Sequence, residues 1–254
     1  MATKGFGAPE LEIAYTRTHE LCRQMGDTPQ IFPVLVALSL FHFVRAEHSI
    51  AQERGELLLA LAHGAQDSAQ LLEAQRILAF PSLWRGDVVA AREHAEQGLA
   101  LYDAHQHRAH AFLYGSDPGV VCSYYAAYAL WFLGYPDQAL KRSRDALTLA
   151  HDLSHPFSTA SACTALALLH QLRGETQSVQ ESAEAAIALC TEHGIPFWLA
   201  SGTIFRGWAQ AEHGQVSEGL EQLQQGIAAM RSLGGEAVVP YYLAMLAEIY
   251  EACA

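Results

Sequence analysis

Three histidines crowd into one short stretch, His105, His107 and His110, with Asp103 and Asp117 at its edges. Imidazoles at such spacing could share one cation if the stretch folded back on itself. No thiol and no further carboxylate accompanies them at ligand spacing, so surface or hydrogen-bonded histidines are the expectation and no metal site is assigned. Other chemistry is harder still to find. The chain contains no G-x-x-x-x-G-K-[ST], G-x-G-x-x-G, G-x-S-x-G or H-E-x-x-H, so no phosphate cradle, dinucleotide fingerprint, nucleophile elbow or zinc helix nominates an active site. The expectation is a protein without catalytic residues or a cofactor.

The elements that would carry any binding residue are helical, and they recur. The stretch from Gly134 to Gly174 runs through one long alanine-rich segment to Leu153, a His155-Pro156 break and a second segment ending at Arg173-Gly174-Glu175. The next such turn, His213-Gly214-Gln215, lies 40 residues on, Gly86 lies 48 before Gly134, and Ala46-Glu47 a further 40 before that. Small residues keep the same beat. Seven before each turn stand Ser39, Ala79, Ala127, Ala167 and Gly207; five after it, Ala51, Ala91, Ala139, Val179 and Gly219; twelve after it, Leu58, Gly98, Ala146, Ala186 and Gly226. A glycine within a helix costs roughly 1 kcal/mol relative to alanine, and close contact between neighbouring helix backbones supplies a reason for it.

With the turn glycine as position 15, these offsets match the small positions 8, 20 and 27 of the tetratricopeptide pattern, and the chain resembles that family in a longer variant. The resemblance implies an all-α, right-handed α-solenoid of about 12 helices. Residues 1–8 are expected to be loose and residues 9–254 to form a single solenoid, with five full hairpins at about 29–63, 68–104, 118–152, 156–192 and 196–233 and a half-repeat at each end. Thr28-Pro29, Asp117-Pro118, His155-Pro156 and Ile195-Pro196 mark helix starts, where a missing N–H costs little. The one break in the period is an insertion of eight residues within Tyr102–Gly119. The terminal helix, about 236–253, carries Val238, Tyr241, Leu243, Met245 and Tyr250 on more than one face; either it packs inward, or it offers a surface to further chain or to a second copy.

In tetratricopeptide arrays the first helix of each hairpin lines a concave groove, through positions that here fall on Arg76 and Phe80, on Tyr124, Tyr128 and Trp131, on Gln171 and on Trp208. Aromatic and arginine side chains dominate binding interfaces, so these are the expected partner-binding residues; core packing between hairpins is the competing reading of the same rings. A protein or peptide in the groove is the first reading, and a metabolite held between the tyrosines and the insertion the second.

The phrases His107-Arg-Ala-His-Ala-Phe-Leu-Tyr-Gly-Ser-Asp-Pro, Ala129-Leu-Trp-Phe-Leu-Gly-Tyr-Pro and Pro196-Phe-Trp-Leu-Ala-Ser-Gly are similar to the C-terminal repeat region of bacterial signalling proteins. In that family an adenylate or guanylate cyclase domain precedes a predicted ATPase domain and then tetratricopeptide repeats. The resemblance implies a regulatory arm whose partners include its own upstream catalytic domains, with catalytic residues lying outside this chain.

Composition excludes other classes. Of 254 residues, 51% are hydrophobic, enough for a large core, and 15 basic against 27 acidic side chains leave a net charge of −12 that repels nucleic acid and anionic membranes. The five cysteines, Cys22, Cys122, Cys163, Cys190 and Cys253, are scattered and unpaired in pattern, which suits a reduced, cytoplasmic setting. Apolar runs such as Ile31–Val44 are broken by Pro33, Ser39 and His42, so neither export nor membrane spanning is expected.

Overall fold

Acidic caps and prolines set where the helices begin. The Asp67 carboxylate accepts the amides of Ala69 and Gln70, Asp87 accepts that of Ala90, and Asp117 accepts that of Val120, each satisfying donors that a helix leaves unpaired at its start. Pro118, Pro136, Pro156 and Pro196 occupy the first turn of four helices, the first of them the one that Asp117 caps, so three of the expected proline starts stand where the sequence put them. The fourth, Thr28-Pro29, lies outside the described residues, as do residues 1–6, Ala8, 25–30 and 253–254; the computed structural model describes Gly7, 9–24 and 31–252.

The described residues form fourteen helices. They are α1 (Pro9–Gln24), α2 (Ile31–Val44), α3 (His48–Ala65), α4 (Ser68–Trp84), α5 (Val88–Leu101), α6 (Ala104–His107), α7 (His110–Tyr114), α8 (Pro118–Phe132), α9 (Pro136–Leu153), α10 (Pro156–Leu172), α11 (Thr176–His193), α12 (Pro196–Glu212), α13 (Val216–Ser232) and α14 (Val239–Ala252). Two of these, α6 and α7, are the insertion, which the sequence left without assigned structure. The long helices pair as α2/α3, α4/α5, α8/α9, α10/α11 and α12/α13, and the architecture is the expected all-α solenoid.

Two layers result, and their compositions differ for a physical reason. Each of α2, α4, α8, α10 and α12 touches the next member of that series as well as outer helices on either side, so almost no face meets water. In α8 every residue from Pro118 to Leu130 is buried, which is why its sequence is apolar all round. Outer helices bury one stripe: in α9 it is Ala139, Ser143, Ala146 and Ala150, at helical spacing.

All fifteen small-residue positions read from the sequence are buried. The closest approach is between α12 and α13, where a Cβ on Gly219 would lie 2.5 Å from the Gly207 carbonyl oxygen and 2.6 Å from the Ala211 nitrogen. Neither neighbour is a movable side chain, so glycine is required there.

The curve of the solenoid brings its two ends together. The amides of Glu236 and Ala237, just after α13, donate to the Val44 carbonyl at the end of α2 (2.8 and 3.0 Å), and the Gly7 amide donates to Leu233. The segment leading into α14 therefore crosses the concave side. The terminal helix itself turns Val239, Tyr242, Met245 and Ile249 inward and leaves Leu243 and Tyr250 exposed.

Candidate functional site

The inner helices converge on a chain of rings. Phe43 from α2 meets Phe80 from α4 with centroids 5.3 Å apart; Phe80 meets Tyr125 from α8 at 4.6 Å; Tyr124 and Tyr128 each lie within 6 Å of Tyr125. Tyr125 was not singled out in the sequence, because its offset from the turn falls between those of Tyr124 and Tyr128, which were assigned to the groove. Burial pushes the phenols of Tyr124 and Tyr128 well above their ordinary range, so both remain neutral.

Beside these rings lies a cavity of about 110 Å³. Its walls are mostly apolar, formed by Leu40, Phe43, Phe80, Phe157, Phe197 and Trp198, and its polar groups come from Arg76, Ser116, Tyr124, Ser201 and Tyr242. The floor is closed by Gly235, Ala237 and Val238 of the crossing segment. Tyr242 is fixed by a hydrogen bond with Ser201 of α12 and its hydroxyl is pushed up to about 12 by burial, with the Ser201 bond pulling the other way.

Among the described residues, Arg76 is the one charged side chain lining this cavity, and it is only 1% exposed. Its Nε donates to Glu73 Oε2 at 2.6 Å, its Nη1 reaches Ser116 Oγ at 3.4 Å, and its guanidinium carbon lies 5.7 Å from the Phe80 ring centroid. The second oxygen of Glu73 faces His110 Nδ1 at 2.7 Å. Arg76 Nη2 has no hydrogen-bond partner among the described residues, and the same holds for the indole nitrogen of Trp198.

The insertion is thus built around structural contacts. His110 holds Glu73, His107 Nδ1 accepts the Asp103 amide at 3.0 Å, and Asp103 caps α6 through the amides of His105 and Gln106. Tyr102 donates to Asp117 at 3.0 Å and lies against Gly119. Burial raises the Asp117 carboxyl, against the opposing pull of the Val120 amide and the Tyr102 hydroxyl. Among the described residues, no three His, Cys, Asp or Glu side chains meet at metal-binding distance; the His107 and His110 rings pack edge to face with centroids 5.1 Å apart, without a third such group to complete a metal site.

The seven groove residues divide. Arg76, Phe80 and Tyr124 line the cavity. Tyr128 lies at a second recess with Leu168 and Tyr241, and Gln171 accepts a hydrogen bond from the Tyr241 hydroxyl. Trp131 is half-buried against Leu130, Ala139 and Leu169, and Trp208 is buried in the main core. Ser116, Trp198, Ser201 and Tyr242 were missed. The sequence held a signal beside one of them, since Phe197, the neighbour of Trp198, follows the helix-starting Pro196 as Phe157 follows Pro156.

Two further ion clusters recur at the turns and were also missed. His42, Arg45 and Glu47 repeat the spacing of His170, Arg173 and Glu175. In each, a histidine Nδ1 lies 2.5 Å from one glutamate oxygen and an arginine Nε meets the other, at 3.2 and 2.6 Å. The buried thiols of Cys122, Cys163 and Cys190 are free, whereas Cys253 and the side chain of Cys22 lie outside the described residues.

No family model matches the chain. It is 26% identical, over 156 residues and 60% of its length, to an uncharacterized protein of Rhizobium meliloti (strain 1021), and that match spans 15% of the relative. Among solved structures it is similar to a Rap protein complexed with Competence and Sporulation Factor, with a TM-score of 0.69 and 14% identity, covering 90% of this chain and 65% of that one. BtubC from P. vanneervenii gives 0.59 at 18% identity, covering 90% and 94%. A putative kinesin light chain of Podosopora anserina with TPR-like repeats gives 0.52 at 20%, covering 77% and 92%. These likenesses put the fold among TPR-like helical repeats. Among the described residues, no helix is long and apolar enough to cross a membrane.

Proposed function

We propose that the chain is a polypeptide-binding scaffold whose concave groove holds its own segment 235–242 and exchanges it for a segment of a partner protein. The observation that carries this reading is the seating of that segment. Backbone amides of Glu236 and Ala237 bond to Val44, Tyr241 bonds to Gln171, and Tyr242 bonds to Ser201 against Phe205, so backbone and side chains are gripped together as a docked peptide would be. The Rap protein with its factor supports the idea by likeness of fold. Catalysis has no part in the proposal.

The wider setting we propose is the repeat arm of a larger bacterial signalling protein of the cyclase and ATPase type, working in the cytoplasm, with its own upstream domains among the partners. The phrases quoted from the sequence support this, as does a relative of which the match spans only 15%. A homodimer through α14 would use the exposed Leu243 and Tyr250.

The test uses a fluorescent peptide with the sequence of residues 233–252. It is expected to bind the Tyr241→Ala/Tyr242→Ala chain saturably, and at least tenfold more weakly to the parent, whose groove is already filled. No binding to either chain refutes the exchange. A second reading, a groove that senses a small molecule, is favoured by one observation: the cavity left between the crossing segment and Arg76.

A further inference from the structure

We infer that the cavity beside Arg76 binds a small organic carboxylate with a hydrophobic body, the carboxylate seated on the Arg76 guanidinium and the body among the rings. This rests on the small-molecule reading and names its ligand class.

A guanidinium offers five N–H donors in one plane, and burying any of them without an acceptor costs more than a lone hydrogen bond returns. Arg76 is buried, yet the contacts to Glu73 and Ser116 use only Nε and Nη1. Nη2 is left without an acceptor among the described residues on a side chain that lines the cavity. Trp198, across the cavity wall, carries a second buried donor in the same condition. Two donors and no competing acceptor of negative charge define the polar end of the ligand as an acceptor. The rest of the wall defines its body.

Charge narrows the choice. Among the described residues, those lining the cavity include no aspartate or glutamate, and the formal charge they bring to it is positive. Glu73 balances Arg76 from behind, but it is itself shared with His110, which draws on its other oxygen. A planar carboxylate matches the guanidinium fork and gains charge-assisted bonds that an amide or alcohol does not. The cavity of about 110 Å³ and its walls of Phe43, Phe80, Phe157 and Phe197 fit one ring or a short branched chain, not an extended peptide.

The test is thermal unfolding and calorimetry on the full chain with benzoate, phenylacetate and isovalerate, beside their neutral isosteres benzamide, benzyl alcohol and isoamyl alcohol. At least one acid is expected to bind saturably and to raise Tm by roughly 5 °C at a hundredfold excess over its dissociation constant. Arg76→Lys keeps the charge but loses the fork, and is expected to weaken that acid at least tenfold. Ala237→Leu fills the cavity from the crossing segment without touching Arg76, and is expected to abolish binding even if the Arg76 variant fails to fold. Equal stabilisation by an acid and its neutral isostere overturns the carboxylate assignment while sparing the sensor reading. No stabilisation by any compound overturns both.

Discussion

Three times among the described residues a glutamate is clamped between a histidine and an arginine, twice at the turn of a hairpin and once in the interior. Glu47 and Glu175 each take His Nδ1 on one oxygen and Arg Nε on the other, and Glu73 does the same with His110 and Arg76. Even the ring beneath the guanidinium recurs, since Arg45 lies 5.3 Å from Phe41 as Arg76 lies 5.7 Å from Phe80. What differs is water. Glu47 and Glu175 keep about a third of their side-chain surface, whereas Glu73 keeps none. At a turn, unused guanidinium donors face solvent or, for Arg173, the Pro136 carbonyl. In the interior, the same arrangement leaves Nη2 without an acceptor among the described residues. Identical chemistry is a fastening where water completes it and leaves an unmet donor where water is kept out.

The contrast is broken most forcefully from inside. Glu73→Ala would leave a guanidinium buried without its counter-ion, which costs about 3–5 kcal/mol, and chemical denaturation should show a loss of that size. Glu73→Leu with Arg76→Met should recover most of it, because a well-packed apolar pair replaces a buried ion pair at little cost. If the double variant is as unstable as the single one, the interior cluster is not what sets the loss.

Burial is exacting without charge as well. Gly219→Ala would force its Cβ against the Gly207 carbonyl and the Ala211 nitrogen, so α12 and α13 must separate, at about 1–3 kcal/mol. Gly64, whose added Cβ would meet nothing within 4 Å, provides the matched control, and Gly64→Ala should not destabilise. A Gly219→Ala chain with unchanged unfolding would mean that the two helices are not held at that distance.

These glycines also show what the sequence could and could not reveal. Close-packed positions were legible because each repeat imposes them at a fixed offset from its own turn, so five weak signals add. The cavity was half legible: Arg76, Phe80 and Tyr124 belong to the repeating inner face, and their offsets placed them. Tyr242 and Ser201 meet across 41 residues, and Ala237 reaches Val44 across the whole solenoid, through a curvature that no local pattern encodes. The turn clusters were legible in principle, as H-x-x-R-x-E occurs at residues 42–47 and 170–175, but a polar motif repeated in only two of five turns lies below the period of the array.

At the turns the expected effects are small. Glu175→Ala should cost about 1 kcal/mol or less, as half-exposed ion pairs do. Its pH dependence has a definite sign. Burial works against the Glu175 carboxylate, but hydrogen bonds and charge from Arg173 and His170 outweigh it and hold its pKa below the ordinary value; Glu47 is held down in the same way by His42 and Arg45. A depressed carboxyl contributes stability that is present above its ordinary value and lost as pH falls through the lower, folded one. Asp117 runs oppositely: its raised carboxyl favours folding when protonated, a contribution that is lost as pH rises through its folded value. Denaturation midpoints followed downward from neutral pH should therefore fall less steeply in a Glu47→Gln/Glu175→Gln chain than in the parent. An equally steep fall would assign acid sensitivity to other groups.

The smallest effect separates the two turn clusters from each other. Gly174 sits at φ 69°, in the left-handed region that glycine enters freely, but its counterpart Ala46 is held at φ 64°. A non-glycine residue there carries roughly 1–2 kcal/mol of steric cost, and glycine would relieve it while restoring up to about 1 kcal/mol of freedom to the unfolded chain. Ala46 is exposed, so no packing is lost. The difference favours Ala46→Gly by a few tenths of a kcal/mol. An array opens locally, and so native-state hydrogen exchange at the amides of α2 and α3 is the measurement with enough resolution. Slower exchange there, with α10 and α11 unchanged, shows that the His42 cluster holds its turn against strain that the His170 cluster does not bear. Faster exchange would mean that the three side chains, and not the backbone, determine how tightly each turn is closed.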